Sequence, residues 1–377
     1  MKVKVIGAGS IGNHLAHAAR VLGWDVLVCD IDAGALDRMR ESIYPQRYGE
    51  FDNAIELCVT DDAPRGGFDL ICVGTPPDVH MEAALRALKE EPRALQIEKP
   101  LSTPSLDGLS ELVAAVESSG VRAYVGYDHV VGASTRRVCE LVASDAIGHI
   151  QAIDVEFREH WGGILTAHPW LDGPWDTYLG HWRRGGGASG EHSHAINLWQ
   201  HLAHVAGRGR VSELSAMMEY ASLRGGEFDR LCYLQLRTEG GLVGSVVQDV
   251  ITQPARKRAT IQGEFGTITW ICNYASDTDM VEVRFSTGEL ECHEIHHRRP
   301  DDFILELEHI AANLEEREES PLSLVRGAQT MLVIAGAHES QARGSSVRLD
   351  YDSGYSHAAL SYVTGAGSPG VISESTT

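Results

Sequence analysis

The run Gly7-Ala8-Gly9-Ser10-Ile11-Gly12 constrains this chain more than any other, because of what flanks it. It follows Lys2–Ile6, a short apolar run that reads as a strand, and opens Ile11–Leu22, whose apolar spacing reads as a helix. In such a strand–turn–helix unit Gly7 permits the tight turn, Gly9 lets backbone amides approach a pyrophosphate, and Gly12 allows close helix–strand packing. The helix N-terminus, at Ser10 and Ile11, adds partial positive charge. Asp30 stands eighteen residues beyond Gly12, closing a second strand that begins at Asp25, with Ile31 beside it. An acid at that place accepts hydrogen bonds from an adenosine ribose. A carboxylate there repels a 2′-phosphate, so NAD is expected in preference to NADP, with Arg38 and Arg40 the residues able to pair with a phosphate instead.

The first third continues in alternation. Asp69–Val73, Ala94–Ile97 and Arg122–Gly126 read as strands, and Val79–Lys89 and Leu106–Ser118 as helices. Alternation of this kind implies right-handed crossovers and a doubly wound parallel sheet. Ligands bind such a sheet at the carboxyl ends of its strands. Two turns fall there: Gly74-Thr75-Pro76-Pro77, with His80 one turn later, and Glu98-Lys99-Pro100. After about Tyr127 the pattern changes. A helix (Thr135–Ser144), a strand (His149–Phe157), a loop and a helix from about Ser193 precede a stretch of strands only, Val211 to His297. Turn signals at Glu239-Gly240-Gly241 and Glu264-Phe265-Gly266 make consecutive strands antiparallel. Helices at Asp302–Leu314 and Leu322–Glu339 follow. The expected architecture is α/β. Residues 1–126 form a Rossmann domain, 127–350 an α+β domain on an open, mainly antiparallel sheet, and the Gly/Ser/Thr-rich 351–377 a flexible tail.

Charge narrows the partners. With 32 Lys and Arg against 53 Asp and Glu, the formal net charge is −21, which disfavours nucleic acid and anionic membrane surfaces. No apolar run approaches the ~20 residues of a membrane helix. The seven scattered cysteines include no CxxC pair, and Met1–Ile6 leads into no cleavage pattern, so reduced thiols and a cytoplasmic location are expected. A small-molecule partner suits this field best.

These motifs, in this order and spacing, resemble the Gfo/Idh/MocA family of sugar and inositol dehydrogenases. The similarity runs from about Lys2 to Leu349 and takes in the glycine turn, GTPP with His80, and EKP at 98–100. It continues through Tyr124–His129, Ala146–Ile150, Trp182-Arg183 before a glycine run, and the Ser323, Gly327 and Glu339-Ser340 positions. The resemblance implies an NAD(P)-dependent oxidoreductase that oxidises a hydroxyl of a sugar, cyclitol, amino sugar or sugar nucleotide, or reduces the corresponding ketone. It implies a homodimer or homotetramer built through the second sheet. By the same resemblance Lys99 contacts the reacting hydroxyl and the nicotinamide ribose, His194 is the general base, and Glu98 points to the ribose. Thr75, Pro76, His80, Asp128 and Arg183 join the cofactor contacts, and Pro100 is expected to be cis. Imidazole and ammonium suit proton removal and oxyanion stabilisation respectively.

One departure stands out. The family's acid, four residues before the histidine, falls on Gly190. Glu191 or His192 must take its place; a carboxylate suits the role better, since it orients an imidazole and stabilises its charged form.

The 22-residue stretch Trp161–Trp182 holds Trp161, Trp170, Trp175 and Trp182 with His168 and His181 among them, and His160 just before. Indole faces stack on pyranose C–H faces, so Trp161, Trp175, His181 and Trp182, with Tyr127 and His192, are candidate substrate contacts. Packing or an oligomer interface would use the same tryptophans. Arg183 and Arg184 could hold a phosphate or carboxylate. His192, His194, His201 and His204 match no HExxH or cysteine-based signature, and no metal is expected. Two other activities fit the same motifs: a redox-neutral epimerase or glycosidase with tightly held NAD, and a non-catalytic dinucleotide-binding sensor.

Overall fold

The computed structural model describes residues 1–166, 170–298, 300–316 and 319–363. His168 and positions 364–377 of the expected tail lie outside them.

The first sheet contains β1 (Lys2–Ile6), β2 (Asp25–Asp30), β3 (Ile55–Val59), β4 (Leu70–Val73), β5 (Ala94–Ile97) and β6 (Arg122–Val125). All pairings are parallel, in the order β3-β2-β1-β4-β5-β6. The central strands β4 and β5 are buried at every residue, as a sheet covered on both faces demands. The strand the sequence pattern did not show is β3. It is the sheet edge, only its first residue is buried, and its pattern carries no strong period. The order reverses between β1 and β4, which puts the glycine loop after β1 and the Gly74–Pro77 loop after β4 side by side.

The second sheet contains β7 (Ile150–Arg158), β8 (Val211–Leu223), β9 (Gly226–Thr238), β10 (Val243–Asp249), β11 (Arg256–Gly263), β12 (Gly266–Ala275), β13 (Thr278–Phe285), β14 (Leu290–His296), β15 (Val347–Leu349) and β16 (Leu360–Tyr362). Its order is β14-β13-β12-β11-β7-β10-β9-β8-β15-β16. The hairpins pair antiparallel as their turns require, but β10 and β11, though consecutive, do not touch: β7 inserts between them, parallel to β10. One face of this sheet carries the helix Ser193–Val205. Trp199 on that helix is fully buried, and its Nε1 donates to the Ile153 carbonyl of β7 at 2.7 Å.

Chain order misplaces two elements. The helix Asp301–Glu316, counted with the second domain, returns to the first: Phe303 stacks on His14 at 4.7 Å, and Asn313 accepts from the Tyr124 hydroxyl at 2.9 Å. A boundary read along the chain cannot register such a return. The tail expected to fray from Tyr351 is ordered through 363, because β16 pairs with β15 and the Tyr351 hydroxyl donates to the Val211 carbonyl. The helix Leu324–Arg343 also joins the lobes. Its Gly327 lies where a Cβ would come within 2.4 Å of Val125, so only glycine lets the helix approach β6 this closely. No helix among the described residues is long and apolar enough to cross a membrane.

Candidate active site

The glycine loop is shaped by close backbone contacts. Gly7 has φ +107°, and a Cβ there would meet the Gly74 carbonyl at 2.8 Å; one on Gly12 would meet Gly7 O at 1.9 Å. Over Gly9 a Cβ would meet nothing within 4 Å, so that side of the loop is open. Asp30 holds the loop by accepting from Ala8 N at 2.8 Å, and accepts from Asp32 N with its other oxygen. Ile31 beside it is 85% exposed. The Arg47 guanidinium donates to Ser10 O and Oγ, each at 2.7 Å, which places a cation at the start of the helix carrying Ile11. Spacing alone does not reveal Arg47, since it arrives from a helix the glycine motif does not include. Thr75, beside Pro76, has a buried hydroxyl with no hydrogen-bond partner. An open glycine cradle, an acid at the end of β2 and an unsatisfied hydroxyl opposite fit a dinucleotide.

His80 sits deeper than a cofactor contact. Its Nε2 lies 2.6 Å from Thr75 O, and its Nδ1 lies 3.1 and 3.2 Å from Pro100 O and Leu101 O. The ring therefore ties the Gly74–Pro77 loop to the Glu98–Pro100 loop, and burial lowers its pKa. The Lys99–Pro100 peptide is cis.

Lys99 meets Glu191 across the seam between the lobes: Nζ lies 3.0 Å from Glu191 O and 3.2 Å from Glu191 Oε2. The glycine run makes this meeting possible. Gly185, at φ +92°, would place a Cβ 2.7 Å from Pro77 and 3.5 Å from Pro100, so the second lobe's loop rests directly on both loops of the first. A Cβ on Gly190 would fall 2.0 Å from Gly185 O. The position of the family's acid is thus closed to any side chain.

The carboxylate beside His194 is a different one. Asp128, on the short turn after β6, puts Oδ1 3.6 Å from His194 Nδ1. Tyr127 stands edge-on to the same ring at 5.5 Å, and His129 at 4.7 Å. Burial pushes the His194 pKa well down, with the His129, Lys99, Lys257 and His192 charges acting the same way. Glu191, expected to orient His194, instead engages Lys99, while Asp128, expected among the cofactor contacts, is the acid against the imidazole. Neither exchange is visible along the chain, because residues 128 and 194 meet only when the helix Ser193–Val205 docks on the sheet. His192 is buried, its pKa lowered to about 4 by burial, and its carbonyl accepts from Gln248 at 2.6 Å.

Beneath this pair Glu98, expected to point to the ribose, is buried with Gln96 and Glu306, which the sequence did not single out. Gln96 Nε2 donates to Glu98 at 2.8 Å and to Glu306, from the returning helix, at 3.1 Å. Burial raises Glu98 to about 7 and Glu306 well above the usual carboxylate range. A Cβ on Gly126 would lie 2.7 Å from Glu98 Oε1, so Gly126 makes room for this carboxylate.

The aromatic segment divides. Trp182 stacks on buried His338 at 4.3 Å and is covered by Arg183, which pairs with Glu227 at 2.6 Å; these are packing contacts for two residues expected at substrate and cofactor. Trp161 stands edge-on to Phe228, and Trp175 lies under the Arg224 guanidinium. His181 Nε2 lies 3.2 Å from Trp175 O. Arg184 pairs with Asp78 at 2.7 Å, again across the seam. His201 faces Cys139 Sγ at 3.4 Å, so the four histidines do not gather. Among the described residues, the group close enough to hold a metal ion is Asp128, His129 and His194.

Two family models match this chain. Residues 1–127 match the oxidoreductase family with an NAD-binding Rossmann fold, and residues 135–269 match the GFO/IDH/MocA C-terminal domain. No curated protein sequence matches it significantly. Among solved structures, an oxidoreductase from Agrobacterium radiobacter in complex with NAD+, L-tartaric acid and magnesium is 20% identical, covering 92% of this chain and 98% of that one at a TM-score of 0.74. A levoglucosan dehydrogenase with NADH and levoglucosan is 18% identical, with coverages of 93% and 99% and a TM-score of 0.74. The WlbA dehydrogenase from Bordetella pertussis, with NADH and UDP-GlcNAcA, is 20% identical, with coverages of 93% and 98% and a TM-score of 0.69. At these identities the likeness is one of fold, and it extends across both lobes. The chain belongs to the Gfo/Idh/MocA family of oxidoreductases.

Proposed function

We propose that this oxidoreductase is an NAD-dependent dehydrogenase that oxidises a secondary hydroxyl of a sugar-like polyol, or reduces the matching ketone. The observation that carries the reading is the pairing at the seam: Lys99 held by Glu191, and His194 faced by Asp128. When bound, the dinucleotide supplies a nicotinamide ring to take the hydride. Removing a hydride from a carbinol carbon requires its hydroxyl proton to leave as well. His194, held neutral by burial, accepts that proton, and Asp128 stabilises the imidazolium as it forms. The Lys99 ammonium faces the oxygen and stabilises its developing charge. Glu191 restrains the lysine without neutralising every donor, since an ammonium carries three.

NAD is favoured over NADP by the side chains around Asp30. Arg38 pairs with Asp32 at 3.0 Å, and Arg40 lies over the Phe51 ring, so each candidate phosphate partner already has a contact of its own. The sugar and polyacid ligands of the structural neighbours support a hydroxylated substrate.

The test is NAD+ reduction followed at its absorbance across sugars, cyclitols, amino sugars and sugar nucleotides, with Lys99→Met in parallel. The reading expects turnover in the wild type and NAD+ binding without turnover in the variant. No reduction with any polyol, or undiminished turnover in Lys99→Met, overturns it.

A further inference from the structure

The side chains of Asp128, His129 and His194 each offer one ligand atom, and all three atoms lie within 4.8 Å of one another. His194 Nδ1 is buried and makes no hydrogen bond. Its 3.6 Å separation from Asp128 Oδ1 is too long for a hydrogen bond, yet close to the edge of a zinc tetrahedron. With Zn–N and Zn–O near 2.0–2.2 Å, that edge is about 3.4 Å. The His129 and His194 rings stand at 80° to each other, so they are not stacked face to face and two nitrogens can converge on one point. His129 is braced from behind by Phe157 and Trp270, edge-to-face at 5.2 and 6.0 Å, which limits the freedom a ligand must lose on binding.

We infer that Asp128, His129 and His194 form a binding site for a late first-row divalent cation of the zinc or cobalt type. Two imidazoles and one carboxylate are the donor set such ions take with a coordination position left open, and it is a poor set for magnesium or calcium. The nearby cations are matched by their own partners: Lys99 by Glu191 and Lys257 by Glu159.

The consequence for chemistry rests on the dehydrogenase reading. A cation on Nδ1 engages the Asp128 carboxylate and withdraws electron density from the ring, so His194 no longer takes up a proton. Metal occupancy and alcohol oxidation are therefore alternatives at one imidazole. Binding itself does not depend on that reading.

The experiment is a titration of the purified, chelator-treated protein with Co2+, following the visible bands of imidazole-coordinated cobalt, then displacement with Zn2+. One cobalt per chain is expected, displaced by one zinc. Removing a ligand in His129→Ala, or in the isosteric Asp128→Asn, should weaken binding at least ~10-fold, the lower bound for losing even an outer support of a metal site. Circular dichroism reports whether each variant is folded. The absence of cobalt bands in the wild type, or equal affinity in folded His129→Ala and Asp128→Asn proteins, overturns the assignment. Lys99→Met separates the two proposals: it should bind cobalt as the wild type does while losing turnover, so a failure of the dehydrogenase reading leaves the metal result standing.

Discussion

Lys99 Nζ is held by two acceptors of a single residue across the seam, the main-chain oxygen of Glu191 at 3.0 Å and its carboxylate at 3.2 Å. Only the second can be removed by substitution at 191. Glu191→Gln should therefore leave the amine in place while weakening its restraint. The expected result is a fall in kcat of about 10-fold, equivalent to ~1.4 kcal/mol, with KM for NAD+ unchanged. A loss as complete as that of Lys99→Met would mean Glu191 does more than position the lysine.

On the dehydrogenase proposal Asp128 acts through His194, 3.6 Å away, and its removal should appear in kcat more than in KM. Asp128→Asn keeps the shape and discards the charge that stabilises an imidazolium, so kcat should fall about 10²-fold or more. Asp128→Glu should recover part of the loss. Steady-state kinetics as a function of pH checks this, since a purely structural effect would lower activity without altering the profile.

Restoring the family's acid at its usual place should fail. Gly190→Asp sets a Cβ where Gly185 O lies 2.0 Å away, which backbone cannot yield cheaply. A destabilisation of about 1–3 kcal/mol is expected, with no gain in kcat. Thermal melting and turnover measured together decide it; a stable and faster variant would show that the glycine is not needed by the loop.

Asp229 carries a pH signature in stability. It is fully buried, accepts from Ser189 N at 2.7 Å, and burial raises its pKa from 3.8 to about 7. The folded state thus binds the proton more tightly than the unfolded one. The contribution is complete below about pH 4 and is lost as pH rises toward and through 7. Asp229→Asn lacks this titration. The melting temperature of the wild type should fall relative to that of Asp229→Asn across pH 4–7, measured by calorimetry in parallel buffers. A constant difference over that range would refute the assignment.

Much of the first lobe was legible because its signals are local. The glycine turn, the acid at the end of β2 and the buried runs of β4 and β5 each record in a few neighbouring residues what the backbone must do there. Edge strand β3 escaped because Ile55-Glu56-Leu57 alternates for three residues and Cys58-Val59 then breaks the pattern, too short a run for a periodic signal. Lys99 and His194 could be named from motifs, yet their partners could not. Asp128 reaches His194, and Glu191 reaches Lys99, only after Gly185 seats one lobe's loop on Pro77 and Pro100 of the other. The tryptophans stay ambiguous along the chain for a related reason: an indole stacks equally well on a sugar or, as Trp182 does, on a buried His338, and composition does not choose between them.

The sequence by itself therefore determined the two-sheet architecture and the glycine cradle, because periodicity and glycine placement act over a few residues, while Lys99 and His194 were singled out through a family resemblance. The tertiary structure alone decided which acid serves which base, and that Gln96, Glu98 and Glu306 share one buried site. Those choices depend on distances across a seam between segments up to 210 residues apart, and short-range pattern carries no information about them.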